Sequence, residues 1–305
     1  MDNHFYYLLC AAIAPVIAGL GYIFAKDRYN REPLGMLLGA FFCGVVSIIP
    51  ICIVEGILEP LIGLFAAEPS SLFKAFWTAF IVAACTEEFF KLCFLHGFIW
   101  KSPEFDERFD GIVYGVFVSL GFACAENIGY VFGSLSEGGL FAAYHTSIVR
   151  AIFSIPCHFF CGVILGYYLS LAKFEKANQN NESAQSSVIY KGLFYSILFH
   201  GIYDFILFYQ SYSCSQTDET QLTSEAVAPG AILFIMFLIF NIVFWKIGGK
   251  RIKHFASLLQ PDSKNEQEAF VTCSFCGNTY ESHIPSCPNC KQLTEKSIQD
   301  QNEIS

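Results

Sequence analysis

Runs of about twenty apolar residues recur along the chain, separated by shorter polar stretches. They fall at about 4–25, 34–58, 72–100, 111–133, 149–172, 188–210 and 229–247. A hydrocarbon core about 30 Å thick requires about that many residues per helix. The period-2 alternation of an outer-membrane barrel is absent from these runs. Backbone polar groups inside lipid must be satisfied within the segment, so each run is expected to be a helix. The pattern predicts an all-α polytopic membrane protein with about seven transmembrane helices. Pro15, Pro50 and Pro156 fall inside three of the runs, where they would kink a membrane helix without ending it. The first run starts almost at Met1 without a basic leader or small-residue cleavage site, and is expected to be retained as a helix.

Composition supports this picture: 54% of the 305 residues are apolar and only 15% are charged. The basic residues add an orientation. Lys26, Arg28, Arg31, Lys101, Arg108, Lys173, Lys176, Lys191, Lys246, Lys250, Arg251 and Lys253 would share one side, against only Lys74 and Arg150 on the other. The positive-inside rule then places the amino terminus outside and the carboxyl terminus in the cytoplasm of a cell (inner, cytoplasmic) membrane. The net charge of −9 is spread over outer loops and the tail. No basic stripe or aromatic platform points to a nucleic acid; the lipid bilayer is the expected surrounding.

The tail changes character. Residues 1–254 form the membrane domain and 255–270 a polar linker. Residues 271–293 hold a compact cysteine module, and 294–305 a disordered end. Cys273, Cys276, Cys287 and Cys290 make two Cys-x-x-Cys pairs ten residues apart, with a glycine after the first pair. That spacing suits a structural, zinc-ribbon-like Zn²⁺ site with a closed coordination sphere, whose folding would depend on the metal. Two disulfides are the alternative, disfavoured where cytoplasmic thiols stay reduced. His283 reads as a surface residue, and the module as a docking element for a cytoplasmic protein partner or a regulator of the membrane domain.

Ionisable residues inside membrane helices mark functional sites by default, because their burial in lipid is costly. The stretch "CTEEFFKL" puts Glu87, Glu88 and Lys91 in the third run. Either glutamate can reach Lys91 at i,i+3 or i,i+4 spacing, while the two diverge by about 100° around the helix, so that one can pair with the lysine and the other point elsewhere. Glu126 and Asn127 lie in the fourth run, and His158 in the fifth with Arg150 near its outer end. His200 and Asp204 sit four apart in the sixth, and Glu55 near the outer end of the second reads as interfacial. Taken singly, each has a bland reading: a structural Glu–Lys pair, a satisfied interhelical histidine, an Asn that glues helices together. Taken together, acids and imidazoles from four helices in a low-dielectric pocket suit water activation and hydrolysis of an amide bond. The histidines could ligate a metal, hold the water or donate to an oxyanion.

Those residues resemble the PrsW family of intramembrane proteases, related to the CAAX-prenyl endopeptidase and bacteriocin-processing superfamily. "TEEFFK" looks like the family's Glu-Glu-x-x-Lys motif and "FACAEN" its Phe-x-x-x-Glu motif. "RAIFSIPCHFFCGVILGYYL" resembles its Arg-and-His stretch, "HGIYDF" its His-x-x-x-Asp motif, and "YIFAKDRYNREP" its first loop. The resemblance covers roughly residues 10–210 and stops short of the cysteine module. It implies site-1-type cleavage of a membrane-anchored protein substrate such as an anti-sigma factor. The implied catalytic set is Glu87, Glu88, Lys91, Glu126, His158, His200 and Asp204. Glu87 would be the general base, with Glu88 and Lys91 holding the helix geometry and Asp204 orienting His200 or binding metal. A divalent active-site metal on Glu87, Glu126, His158 and His200 and a metal-free glutamate mechanism both stay open. The rival functions are a proton-coupled transporter, whose expected inverted repeat is not visible in the sequence, and a non-catalytic receptor signalling through its tail.

Overall fold

A computed structural model describes residues 3–27, 31–66, 68–175 and 182–214, with scattered positions from 242 to 290. The chain separates into two compact units, Met1–Ala256 and Ser257–Ser305. In the first unit, α1 (Asn3–Lys26) and α2 (Leu34–Leu58) come first; α2 passes through a 3-10 turn, Glu59–Leu61, into the short α3 (Ile62–Phe65). The next run is α4 (Ser71–Phe76), a π-helical stretch (Trp77–Ala84) and α5 (Cys85–Ile99) without a break. α6 (Asp110–Val149), a second π-helical stretch (Arg150–Ser154), α7 (Ile155–Ser170) and α8 (Glu182–Cys214) complete the described helices.

Among the described residues, four stretches are long and apolar enough to cross a membrane: His4–Lys26, Leu34–Phe65, Asp110–Phe174 and Glu182–Ser213. The third of these, 65 residues long, accommodates the two expected runs at 111–133 and 149–172. It does so as a hairpin. Gly139 interrupts α6 at φ 72°, a left-handed conformation that glycine adopts without a Cβ penalty, and the chain returns along itself. The run expected at 72–100 is helical over Ser71–Ile99 but is not among those four stretches; it carries Lys74, Glu87, Glu88 and Lys91. The run expected at 229–247 lies almost wholly outside the described residues.

α6 is the central helix. From Asp110 to Cys124 every residue is buried, the signature of a helix enclosed by others, and α1, α2 and α7 pack around it. Between α6 and α7, Gly111 and Gly115 meet Gly162 and Gly166 so closely that an added methyl would strike main-chain atoms. Such small-xxx-small faces let membrane helices approach at van der Waals distance.

α2 shows how the bundle divides lipid from protein. Leu37, Ala40, Gly44, Ser47 and Ile51 form its buried stripe. Leu38, Phe42, Val46, Ile49, Ile53 and Ile57 are all exposed. An apolar stripe of that length on the outside of a bundle is suited to acyl chains. One end of the bundle joins Glu32 to Tyr114 and Trp100 to Lys173. The opposite end joins Leu58 to Trp77 and Ser71 to Tyr212.

In the second unit, β1 (Phe270–Thr272) pairs antiparallel with β2 (Thr279–Glu281), Val271 opposite Tyr280. Gly277 turns the connection at φ 70°, and Asn289 Nδ2 approaches Cys276 Sγ at 3.7 Å. Cys276 is exposed and Cys290 half-buried. Cys273 and Cys287 lie outside the described residues.

Candidate active site

The helices bring the polar membrane residues into one buried network near mid-bundle. The π-helical stretch Trp77–Ala84 ends directly before Cys85, so the widened turn sets the rotation at which Glu87, Glu88 and Lys91 enter the core. Wide turns of this kind often accompany functional sites. All three residues are buried. Both glutamates engage the lysine: Lys91 Nζ lies 2.6 Å from Glu88 Oε1 and 3.3 Å from Glu87 Oε2. The expected division, one glutamate paired and the other turned away, is therefore replaced by a shared ammonium, because the lysine stem is long enough to stand between two positions one residue apart.

The two glutamates still differ. Glu88 has no exposed side-chain area and also accepts from Ser196 Oγ at 2.6 Å and from His200 Nδ1 at 2.8 Å. Among the described residues, Glu87 has only Lys91 at 3.3 Å and His200 Nδ1 at 3.8 Å, and a sliver of exposure. Glu88 is saturated; Glu87 keeps acceptor capacity for a further donor.

His158 connects this group to α6. Its Nδ1 lies 3.2 Å from Lys91 Nζ and its Nε2 3.0 Å from Glu126 Oε2. An ammonium can only donate, so Nδ1 accepts and the proton sits on Nε2, directed at Glu126. Arg150, from the second π-helical stretch, donates to Glu126 at 2.5 Å and to Asn127 Oδ1 at 2.8 Å. Asn127 in turn donates to the Ala12 carbonyl at 2.7 Å, tying α1 to the site. His200 has carboxylates at both nitrogens, Glu88 and, at 3.2 Å, Asp204. Glu88 and Asp204 thereby fix the orientation of the ring from both sides. The two imidazoles meet edge to face, 5.0 Å between centroids, and the Phe122 ring takes the Lys91 ammonium on its face at 4.4 Å.

Every sequence-singled residue of the catalytic set, Glu87, Glu88, Lys91, Glu126, His158, His200 and Asp204, thus belongs to one connected network. Within it, the donors that converge most closely are Glu87, Glu88, His158 and His200, whose ligand atoms all lie within 4.8 Å of one another. Glu126, expected among the metal donors, sits instead on the far nitrogen of His158, and Glu88 occupies the inner position. Two carboxylates and two imidazoles make a donor set suited to a divalent zinc- or manganese-like ion, so the residues fit such an ion in type and spacing. Lys91 supplies positive charge among the same atoms.

Ser196 and the Arg150 contacts escape a reading of the sequence. Ser196, His200 and Asp204 repeat every four residues and so share one face of α8, a periodicity visible in "SILFHGIYD". Arg150 reads as an extramembrane charge until the hairpin folds it back beside Glu126.

A second buried acidic group closes the opposite end of the bundle. Tyr114 donates to Glu32, Asp27 accepts from the Glu32 amide at 3.2 Å, and Asp110 accepts from the amides of Asp106 and Glu107. Burial pushes the Glu32 carboxyl up to about 7, against the opposing pull of its Tyr114 hydrogen bond, and raises Asp27 too.

Residues 32–244 match the family described as PrsW family intramembrane metalloprotease. The chain belongs to the PrsW family. It is 37% identical over 200 residues to Protease PrsW of Bacillus subtilis strain 168, covering 66% of this chain and 82% of that one. It is 34% identical over 200 residues to Protease PrsW of Clostridioides difficile strain 630, covering 66% and 79%. The figures for the Geobacillus kaustophilus protein are 35% over 202 residues, 66% and 79%. No solved structure matches the chain. With its lipid-suited helices, this PrsW-family protein is a multi-pass intramembrane protease, and the family's description as metalloproteases agrees with the donor set above. The cysteine module falls beyond the matched residues.

Proposed function

We propose that this protease hydrolyses a peptide bond of a membrane-anchored, anti-sigma-factor-like protein, a site-1-type cut made by water that Glu87 activates. The observation that carries the reading is the unequal use of two adjacent glutamates. Glu88 accepts three strong bonds, whereas Glu87 has one long contact with Lys91 and a remote one with His200. A general base needs a free lone pair within reach of its proton donor, and only Glu87 of the pair keeps one. Lys91 and Ser196 hold Glu88, Glu88 and Asp204 hold His200, and Arg150 with Asn127 holds Glu126 against His158. Each reacting side chain is fixed by a neighbour, the pre-organisation that catalysis requires.

Glu87, Glu88, His158 and His200 would hold a divalent metal ion. When bound, such an ion polarises the carbonyl and makes the water more acidic. In the tail, Cys273, Cys276, Cys287 and Cys290 would hold a structural Zn²⁺. The hairpin turned at Gly277 and the approach of Asn289 to Cys276 support two facing knuckles. The module would offer a docking surface to a cytoplasmic partner. The protein would sit in the cytoplasmic membrane with its amino terminus outside, as the loop charges favour.

The test compares cleavage of a single-span reporter substrate by the unaltered protein and by Glu87→Ala, His158→Ala and His200→Ala. Intact substrate with each variant, at unchanged membrane expression, supports the reading. Full cleavage by Glu87→Ala removes Glu87 as the base.

A further inference from the structure

Glu55 reads from sequence as an interfacial residue, yet its position in the fold is different. It lies four residues after Ile51, the last residue of the buried stripe of α2, on the same side of the helix, and is half-buried. Its height follows from two contacts between α2 and the antiparallel helix beside it. Gly39 lies against the Phe98 ring, and the Leu58 carbonyl accepts from Trp77 Nε1 at 3.2 Å. In that register Glu55 stands level with Ile81, six residues or about 9 Å from Glu87 toward the Leu58 end. Helical side chains lean toward their own amino terminus. In antiparallel neighbours, therefore, Glu55 leans down toward Glu87 and Glu87 leans up toward Glu55.

Electrostatics places the carboxylate at the site as well. Glu55 interacts through space with Glu87, Glu126, His200 and Asp204, from three other helices. Cys52, one turn earlier, senses Glu55, Glu87 and Glu126. Exposure rises in the same direction: none for Lys91 and Glu88, 13% for Asp204 and 15% for Glu126. Glu55 is half-buried and stands on the Leu58 side of these residues. Its carboxylate has no hydrogen bond or ion pair among the described residues, whereas every other acid of the network has one. The carboxylates of Glu87, Glu88, Glu126 and Asp204 already have partners in Lys91, Arg150 and His200. Glu55 adds a further carboxyl group, without a partner among the described residues, on the Leu58 side of that network.

We infer that Glu55, together with Asp204, receives a cationic side chain of the substrate. The protease would then prefer peptides with Lys or Arg on the flank of the scissile bond that lies toward the Leu58 end. The inference rests on the proposed hydrolytic reading and names its substrate class. A partly desolvated carboxylate discriminates strongly between a basic and an acidic partner, since the wrong charge meets repulsion and the right one a pair.

The test uses the full-length protein in liposomes and single-span reporters bearing Lys, Gln or Glu at each position flanking the cleavage point. The unaltered protein is expected to cleave the Lys reporter with a kcat/KM about tenfold above the Glu reporter at one flank only, most of the difference lying in KM. Glu55→Gln flattens that order and Glu55→Lys reverses it, so that the Glu reporter becomes the better substrate. A merely structural role for Glu55 would slow all reporters alike and produce no such exchange. Equal treatment of Lys and Glu reporters by the unaltered protein, or a Lys preference that survives Glu55→Lys, overturns the inference and leaves the hydrolytic reading standing. No cleavage of any reporter by the unaltered protein overturns both.

Discussion

Lys91 and Glu88 form an ion pair of 2.6 Å in which neither side chain has any accessible surface. The lysine also reaches Glu87, His158 and the face of Phe122, so one ammonium joins three helices. In a low-dielectric interior such a pair is retained only when the surrounding groups satisfy it. The arrangement explains why a membrane helix keeps three charged residues within one and a half turns: they are the hub on which the other helices lock.

Removing the hub should therefore cost stability before it costs chemistry. Lys91→Met leaves Glu87 and Glu88 without their cation and is expected to destabilise the fold by about 3–5 kcal/mol. Thermal unfolding of the detergent-solubilised protein measures it. Lys91→Arg is no substitute, since a planar guanidinium cannot occupy the compact space between two carboxylates and the Phe122 ring.

Adjacent glutamates should separate by phenotype. Glu87→Gln is expected to lower kcat by about 10²–10⁴-fold with little change in unfolding temperature, as for a lost general base. Glu88→Gln removes the acceptor shared by Lys91, Ser196 and His200, and should lower the unfolding temperature as well as activity. Equal loss of stability in the two variants would contradict the assigned division of roles.

Metal binding should divide between the two units. His158→Ala or His200→Ala is expected to lower the divalent metal recovered with purified protein by about one ion per chain, and Cys273→Ser to lower zinc independently without abolishing cleavage. Elemental analysis of the single and combined variants distinguishes the sites. Unchanged zinc in Cys273→Ser would remove the ribbon.

The acidic group at the other end predicts a pH effect on stability. Burial pushes the Glu32 carboxyl from its ordinary 4.5 up to about 7 in the folded protein. The folded state therefore holds a proton that the unfolded chain has released between those values. Stability falls as pH rises through that window, and Glu32→Gln should flatten the decline. Unfolding temperature measured from pH 5 to 8 for both proteins gives the answer.

Apolar period and length alone decide that these segments become helices, because lipid offers the backbone no other partner. The same patterning marks every ionisable residue of the site, since each stands out against an apolar run. What the linear order could not supply was partnership. Whether Glu126 or Glu88 stands beside the histidines depends on the hairpin at Gly139 and on glycine faces that set α7 against α6. Arg150 joins the site only because that hairpin returns it to Glu126, and Ser196 only because α8 packs against α5. Glu55 is brought toward the site by the antiparallel register of α2 with its neighbour. Helix formation is a local consequence of solvent, whereas the pairing of charges is fixed by which faces pack, and that is decided by contacts between residues far apart in the chain.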